Sequence, residues 1–346
     1  MKVLTVRNVN EALWRGVELM LEGKEMGHVN AQDSRGGPTL EYMHPVATTY
    51  RRPAERVLFS ACRDANPFFH LMESLWILAC RQDVAFLSYF NQRMADYSDD
   101  GTSFHGAYGA RMGRQLYQVI NLLREDPGTR RAVLQIWDHE LDLEHDGLDL
   151  PCNDLIFLKI RHGFLHMRVC CRSNDMIWGA YGANAVQFSM LLEWLAAHTG
   201  YEIGTYTQIS DSFHVYTEGP GGEVWRRLSR VYREADYTAS KLITAAEQDV
   251  HLHPRVPLAD DGDITMFDGD RSTFFYHWDH GIPVESGAYR SRFFNEVVLP
   301  MYLAWGQWKY THDPALAIQV LDEAIQYQAH SPDWVEAGRR WLMMRR

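Results

Sequence analysis

The sequence has no long apolar run: nowhere do roughly 18 uninterrupted apolar residues, the length that spans a bilayer, follow one another. No basic and apolar leader precedes a small-residue cleavage site, so a cytoplasmic protein with no membrane partner is expected. The five cysteines, Cys62, Cys80, Cys152, Cys170 and Cys171, form no CxxC pair, which argues against a zinc ribbon or a disulfide framework and for reduced thiols. Positive charge is also scarce. A formal charge of −11 lacks the surplus of Lys and Arg with which general nucleic-acid binders displace counterions, so no nucleic-acid partner is expected. Any anionic ligand must be held by arginines clustered locally, because guanidinium forks are the usual answer to a phosphate. Three places qualify: Arg35 in SRGGPT, Arg130 and Arg131 in GTRRAV, and Arg172 in CRSND.

What is present is enough apolar sequence, 46% of 346 residues, to fill a large core. Helical spacing runs from Val9 to Leu21 with Gly23 as its stop, and again over 66–79, 114–125 and 183–200, the last ended by Gly200. Residues 39–50, 130–137 and 201–210 read as strands. The segments 154–160 and 164–171 alternate around Arg161-His162-Gly163 like a hairpin, with an irregular polar loop as the alternative. Beyond about residue 220 the patterns over 223–235, 294–310, 314–328 and 332–345 are helical, separated by a charged loop at 258–272. The expected class is α+β: a mixed-sheet body over 1–220 around a long buried helix, and a helical extension over 221–346 packed on the same domain. Trp305, Trp308, Trp334 and Trp341 of that extension are expected to pack as core or as dimer surface.

Two residues stand out chemically. Cys152 follows Pro151 in DLPCND, and proline fixes φ there, so the thiol enters the next strand in a stiff direction that suits a nucleophile as well as an inert core cysteine. Glu73 stands in the middle of the apolar helix NPFFHLMESLWILA, where desolvation would raise its pKa.

In chain order, SRGGPT, HLMESLW, GAYGAR, the Arg130-Arg131 pair, PCN, RSND, WGAYGANAV and SDSFHVY resemble the thymidylate synthase superfamily over roughly residues 8 to 220. The resemblance implies that Cys152 adds to C6 of a pyrimidine nucleotide, so that C5 becomes enamine-like and takes a one-carbon unit from 5,10-methylenetetrahydrofolate, with no metal. It implies that Glu73 is the general acid at the ring and Tyr108 a proton relay at C5. Arg35, Arg172 and Ser173 would bind the 5′-phosphate, with Arg130 and Arg131 reaching across a homodimer from the partner. His214 and Tyr216 would hold the deoxyribose 3′-hydroxyl, Asn184 the base, and Asp175 the pterin of the folate.

The departures from a thymidylate synthase bear on the product. Asn153 follows the nucleophile where histidine is usual, no tryptophan stands at Met94 or Tyr97, and the sequence finishes in WLMMRR rather than a short apolar tail. Tryptophan and tail exclude water in methyl-forming enzymes, so a site lacking them would admit water and leave a hydroxymethyl group. The expected activity is therefore pyrimidine nucleoside monophosphate 5-hydroxymethylation, in a bacterial or phage-infected cell. The alternatives are thymidylate synthesis from dUMP and a non-catalytic nucleotide-binding homologue. Because GAYGAN is one residue longer than the family's spacing and an amide can turn over, dCMP and dUMP stay open and CMP remains an option. A zinc deaminase lacks support, since Pro151-Cys152 is followed by no second cysteine, and HWDH (277–280) and HDGLDLPC (145–152) read as solvated loop residues.

Overall fold

The structure is a computed structural model, and it describes residues 1–236, 238–284, 287–326 and 330–346. Among the described residues, eight strands form one mixed sheet: β1 (Lys2–Val6), β2 (Val29–Ser34), β3 (Gly37–Tyr42), β4 (Val46–Tyr50), β5 (Val133–Gln135), β6 (Asn153–Arg161), β7 (Phe164–Asp175) and β8 (Glu202–Tyr216). Their order is β1-β4-β8-β7-β6-β5, with β3 pairing on β8 and β2 on β3. β1 with β4 and β7 with β8 run parallel, and the other pairs are antiparallel. β6 and β7 form the hairpin expected around residue 162, and both turn residues, His162 and Gly163, have the positive φ that a two-residue turn of this kind requires.

Alternation along the strands separates two faces. Ile156, Leu158 and Ile160 of β6 and Leu165, Met167 and Val169 of β7 are buried, whereas Leu155, Phe157, Lys159 and Cys170 remain half-buried on the other side. Against the buried face lies the Asn184–Thr199 helix, apolar on nearly every side as befits a central helix, and ended by Gly200 in the left-handed conformation. The Pro67–Leu78 helix packs against it; Asn66 caps that helix by accepting from the Phe69 N–H at 3.1 Å, Pro67 sits in its first turn, and all its residues are buried.

Residues 219–343 supply six α-helices among the described residues, Gly219–Glu234, Ala239–Leu252, Thr265–His280, Leu299–Thr311, Pro314–Ile325 and Asp333–Met343. They are tied to the preceding residues by aromatic packing. Phe68 meets Trp305 and Trp341 at 5.4 and 5.7 Å, and Phe86 meets Phe275 and Trp278 at 5.0 Å each. A buried ion cluster adds to this: Glu193 of the central helix accepts from Arg56 and, at 2.7 Å, from Arg255.

Several local readings change. The charged loop at 258–272 becomes helix from Thr265, because Phe267, Asp270 and Phe274 are buried and Asp268 accepts from Trp194 and His198 at 2.8 Å each. The first helix runs through Gly23 to Glu25. The strand at 39–50 is two strands broken at 43–45, and the helix expected from residue 114 already begins at Tyr108, with its kink at Gly113. Helices Val84–Phe90 and Ala239–Leu252 were not read from the pattern, and Tyr327 and Gln328 of the expected 314–328 helix lie outside the described residues. Among the described residues no helix is long and apolar enough to cross a membrane.

Candidate active site

A cleft of about 880 Å³ opens where the ends of β6, β7 and β8 meet the starts of three helices. Cys152, Glu73, Tyr108, Ser173, Asp175, Asn184 and Tyr216 all line it. Cys152 stands at the entrance of β6, held to β7 by the Arg172 N–H donating to its carbonyl at 3.0 Å. Burial pushes the half-buried thiol up, and the Arg172 guanidinium is the chief opposing influence, so the resting group is a thiol.

Glu73 faces the cleft from its helix with Oε2 buried and unpartnered among the described residues. Burial raises its carboxyl to about 7, against a smaller opposing influence from the Gln187 amide. A group poised there exchanges a proton readily at neutral pH. Tyr108 opens the Tyr108–Glu125 helix, and burial holds its hydroxyl well above the ordinary tyrosine value. The next residue must be glycine. A Cβ on Gly109 would lie 2.2 Å from the Ile77 carbonyl oxygen, so only glycine lets this helix start against the helix carrying Glu73.

Two arginines grip the loop ahead of the cysteine. Arg35 donates to the carbonyls of Gly147 and Leu148 at 2.5 and 2.7 Å, and Arg172 donates to those of Pro151 and Leu150 at 2.9 and 3.4 Å. Both guanidiniums are thereby engaged by the loop that carries Cys152, and neither lines the cleft in which the phosphate of a nucleotide was expected. Arg130 and Arg131 are exposed ahead of the edge strand β5 and do not line it either. His214 is buried behind Tyr216, ring centroids 5.6 Å apart, with Ser212 Oγ 3.2 Å from its Nδ1.

Asp175 ends β7 and caps the irregular turn that follows, its Oδ1 accepting from the Ile177 and Trp178 N–H groups at 2.8 and 2.5 Å. Its Oδ2 is buried without a partner among the described residues, and burial pushes the carboxyl up. That turn, Met176–Ala183, is π-helical with non-helical angles at Tyr181 and Gly182. A wound-out segment of this kind accommodates an additional residue, and Asn184 beyond it still lines the cleft.

Sequence reading missed several neighbours. Arg63 is buried, donates through Nε and Nη2 to the Ile177 carbonyl at 3.1 and 2.9 Å, and lies 4.5 Å from the Trp178 ring. His70 and Gln187 also line the cleft, and burial pushes His70 down to about 3, leaving it neutral. Asn174 and Gln208, likewise missed, join Asn184 and the Asn153 already noted in a chain of buried amides. Of these, Gln208 carries a signal in the sequence, being a polar residue at an inward-facing strand position, whereas Asn174 is buried off the alternation of 165–171. His145 is bonded to Asp99 at 3.1 Å and stacked on His105, and Asp279 is paired with Arg81.

With this geometry in view, comparison with known proteins is decisive. The thymidylate synthase family model matches residues 35–252. The chain belongs to the thymidylate synthase family. It is 40% identical, over its whole length and 95% of the other protein, to a deoxyuridylate hydroxymethyltransferase of Pseudomonas phage M6. A deoxyuridylate hydroxymethyltransferase of Bacillus phage SP01 is 40% identical over 57% of this chain and 55% of its own length. Among solved structures, the thermostable thymidylate synthase A of Bacillus subtilis matches 64% of this chain and 84% of its own at a TM-score of 0.50 and 23% identity, a likeness of fold.

Proposed function

We propose that this family member is a folate-dependent hydroxymethylase acting on a pyrimidine deoxynucleoside monophosphate, with dUMP as substrate. The observation that carries the reading is the convergence of Cys152, Glu73, Tyr108 and Asn184 on one cleft. The phage relatives named above support the choice of reaction and of uracil. Cys152 adds to C6 and loses its proton, C5 gains the one-carbon unit of methylenetetrahydrofolate, and tetrahydrofolate departs. Water then adds to the exocyclic carbon, and the Cys152–C6 bond breaks to return the thiol.

The remaining roles follow the same reading. Glu73 serves the O4 and N3 edge as acid and base, and Tyr108 passes the C5 proton. Arg35, Arg172 and Ser173 take the phosphate, and His214 and Tyr216 the sugar. Asp175 fits the pterin because its buried Oδ2 is an unused acceptor for ring N–H donors. Trp76 and Trp178 line other parts of the cleft, but Asn91, Arg93, Met94 and Tyr97 bring no tryptophan to it, which favours entry of water at the reactive carbon. A homodimer is part of the proposal: the half-buried outer face of β6 and β7 and the exposed Arg130 and Arg131 support a second copy completing the phosphate site.

Mass spectrometry after separate incubation of dUMP, dCMP and CMP with 5,10-methylenetetrahydrofolate tests this. 5-Hydroxymethyl-dUMP with tetrahydrofolate is expected. dTMP with stoichiometric dihydrofolate would replace the reading with thymidylate synthesis.

A further inference from the structure

Asn184 does not stand alone at the base site. Its Nδ2 donates to Asn174 Oδ1 at 3.1 Å, and its Oδ1 accepts from Asn153 Nδ2 at 3.4 Å. Asn174 Nδ2 donates in turn to Gln208 Oε1 at 3.3 Å and Ser210 Oγ at 2.9 Å. Gln208 Nε2 donates to the Ala180 carbonyl at 2.6 Å and to the Tyr50 hydroxyl at 2.7 Å. At the other end the Cys171 thiol donates to Asn153 Oδ1 at 2.9 Å. All of these side chains are buried.

An amide placed among amides could face either way, but this chain has an anchor. A backbone carbonyl only accepts, so the Ala180 oxygen requires the NH₂ of Gln208. The Gln208 oxygen then faces Asn174 and requires its NH₂, and the Asn174 oxygen requires the NH₂ of Asn184. Turning Asn184 over would set carbonyl against carbonyl, and moving that conflict down the chain ends with a Gln208 oxygen against the Ala180 oxygen. Gly179 keeps the amides in register. A Cβ there would lie 2.5 Å from Asn174 Oδ1 and 3.2 Å from Asn184 Nδ2.

We infer that Gln208 and Asn174, anchored on the Ala180 carbonyl, are positioning residues that fix the polarity of Asn184 and thereby select uracil over cytosine. This rests on the proposed dUMP reading. Uracil offers a donor at N3 and an acceptor at O4, whereas cytosine offers an acceptor at N3 and a donor at N4. The two edges are reversed images, so an amide of fixed polarity meets one and opposes the other.

Calorimetric Kd values for dUMP and dCMP, without folate, are the readout, in the wild type, Gln208→Met and Asn174→Ser. Methionine keeps the length of glutamine without its polarity, and a serine hydroxyl donates or accepts equally well. The wild type is expected to favour dUMP by about 10³-fold, the ratio that two opposed buried hydrogen bonds imply. Each variant should lower that ratio by at least about tenfold, since the opposing order then costs less. A merely structural role would weaken both nucleotides alike, so an unchanged ratio, or a wild type that prefers dCMP, overturns the inference. If Gln208→Met does not fold, the ratio in Asn174→Ser decides. A wild type that selects dUMP but forms no hydroxymethyl product refutes the proposed reaction and leaves the polarity relay standing.

Discussion

Replacing Glu73 with glutamine separates what the carboxyl does in the reaction from what it does to the fold. Burial lifts this group from 4.5 to about 7, so the folded protein keeps a proton that the unfolded chain releases. The stability tied to that proton is fully present below pH 4.5 and is lost as pH rises through 7. At about 1.4 kcal/mol per pH unit the whole effect is about 3 kcal/mol, of which about 2.5 kcal/mol falls between pH 5 and pH 8. Asp154 and Asp333, lifted to about 6 and about 7 by burial, add pH dependence of the same sign, but they do so in wild type and variant alike. The quantity to measure is therefore a difference: urea unfolding of wild type and Glu73→Gln at both pH values. Glutamine cannot ionise, so the variant should lose about 2.5 kcal/mol less than the wild type over this interval. Its turnover should fall by about 10² to 10⁴, and the inflection near pH 7 in kcat/KM should disappear. Equal losses of stability in the two proteins would show that Glu73 does not titrate in this range, and the proton-transfer role assigned to it would go as well.

Cys152→Ser should keep the dUMP Kd within about threefold while lowering turnover at least about 10³-fold, since a serine hydroxyl is far less nucleophilic than a thiolate; calorimetry and product mass spectrometry read the two effects. Arg56→Met leaves Glu193 buried with Arg255 as its other cation, and should destabilise by about 3 kcal/mol in urea unfolding, the low end for a broken buried pair. Gly109→Ala drives a methyl into the Ile77 carbonyl and should cost about 1–3 kcal/mol while lowering kcat, because Tyr108 is displaced from the cleft wall.

How far the sequence could be read follows from the kind of information each element carries. The central helix and the β6–β7 hairpin were legible because their periodicity and stops, Gly200 and His162-Gly163, are local. The Thr265–His280 helix was not, because its acidic residues look solvated until Asp268 is seen to accept from Trp194 and His198, more than 60 positions away. The same division holds at the site. Cys152, Glu73 and Tyr108 sit in recognisable surroundings, and the structure brings them to one cleft. Arg63 was missed because nothing local distinguishes a surface arginine from one buried against Trp178. The arginines expected at the phosphate illustrate the converse: their type is legible, but the Gly147–Pro151 carbonyls that orient Arg35 and Arg172 are not.

The buried amides show why substrate choice is harder to read than chemistry. A nucleophile needs only its own type and a way in, whereas a recognising amide needs a direction, and a direction is a property of everything behind it. Along β8 the inward positions include Tyr206, Gln208 and Ser210 while Ile209 between them faces outward, the reverse of what a half-buried strand should show. Leaving any one of those buried polar groups unpaired would cost about 1–3 kcal/mol, so each requires the next until a backbone carbonyl ends the series. On the proposed reading, that closed series turns Asn184 from a residue able to read two bases into one able to read a single base. The inverted pattern of β8 is the trace it leaves in the sequence.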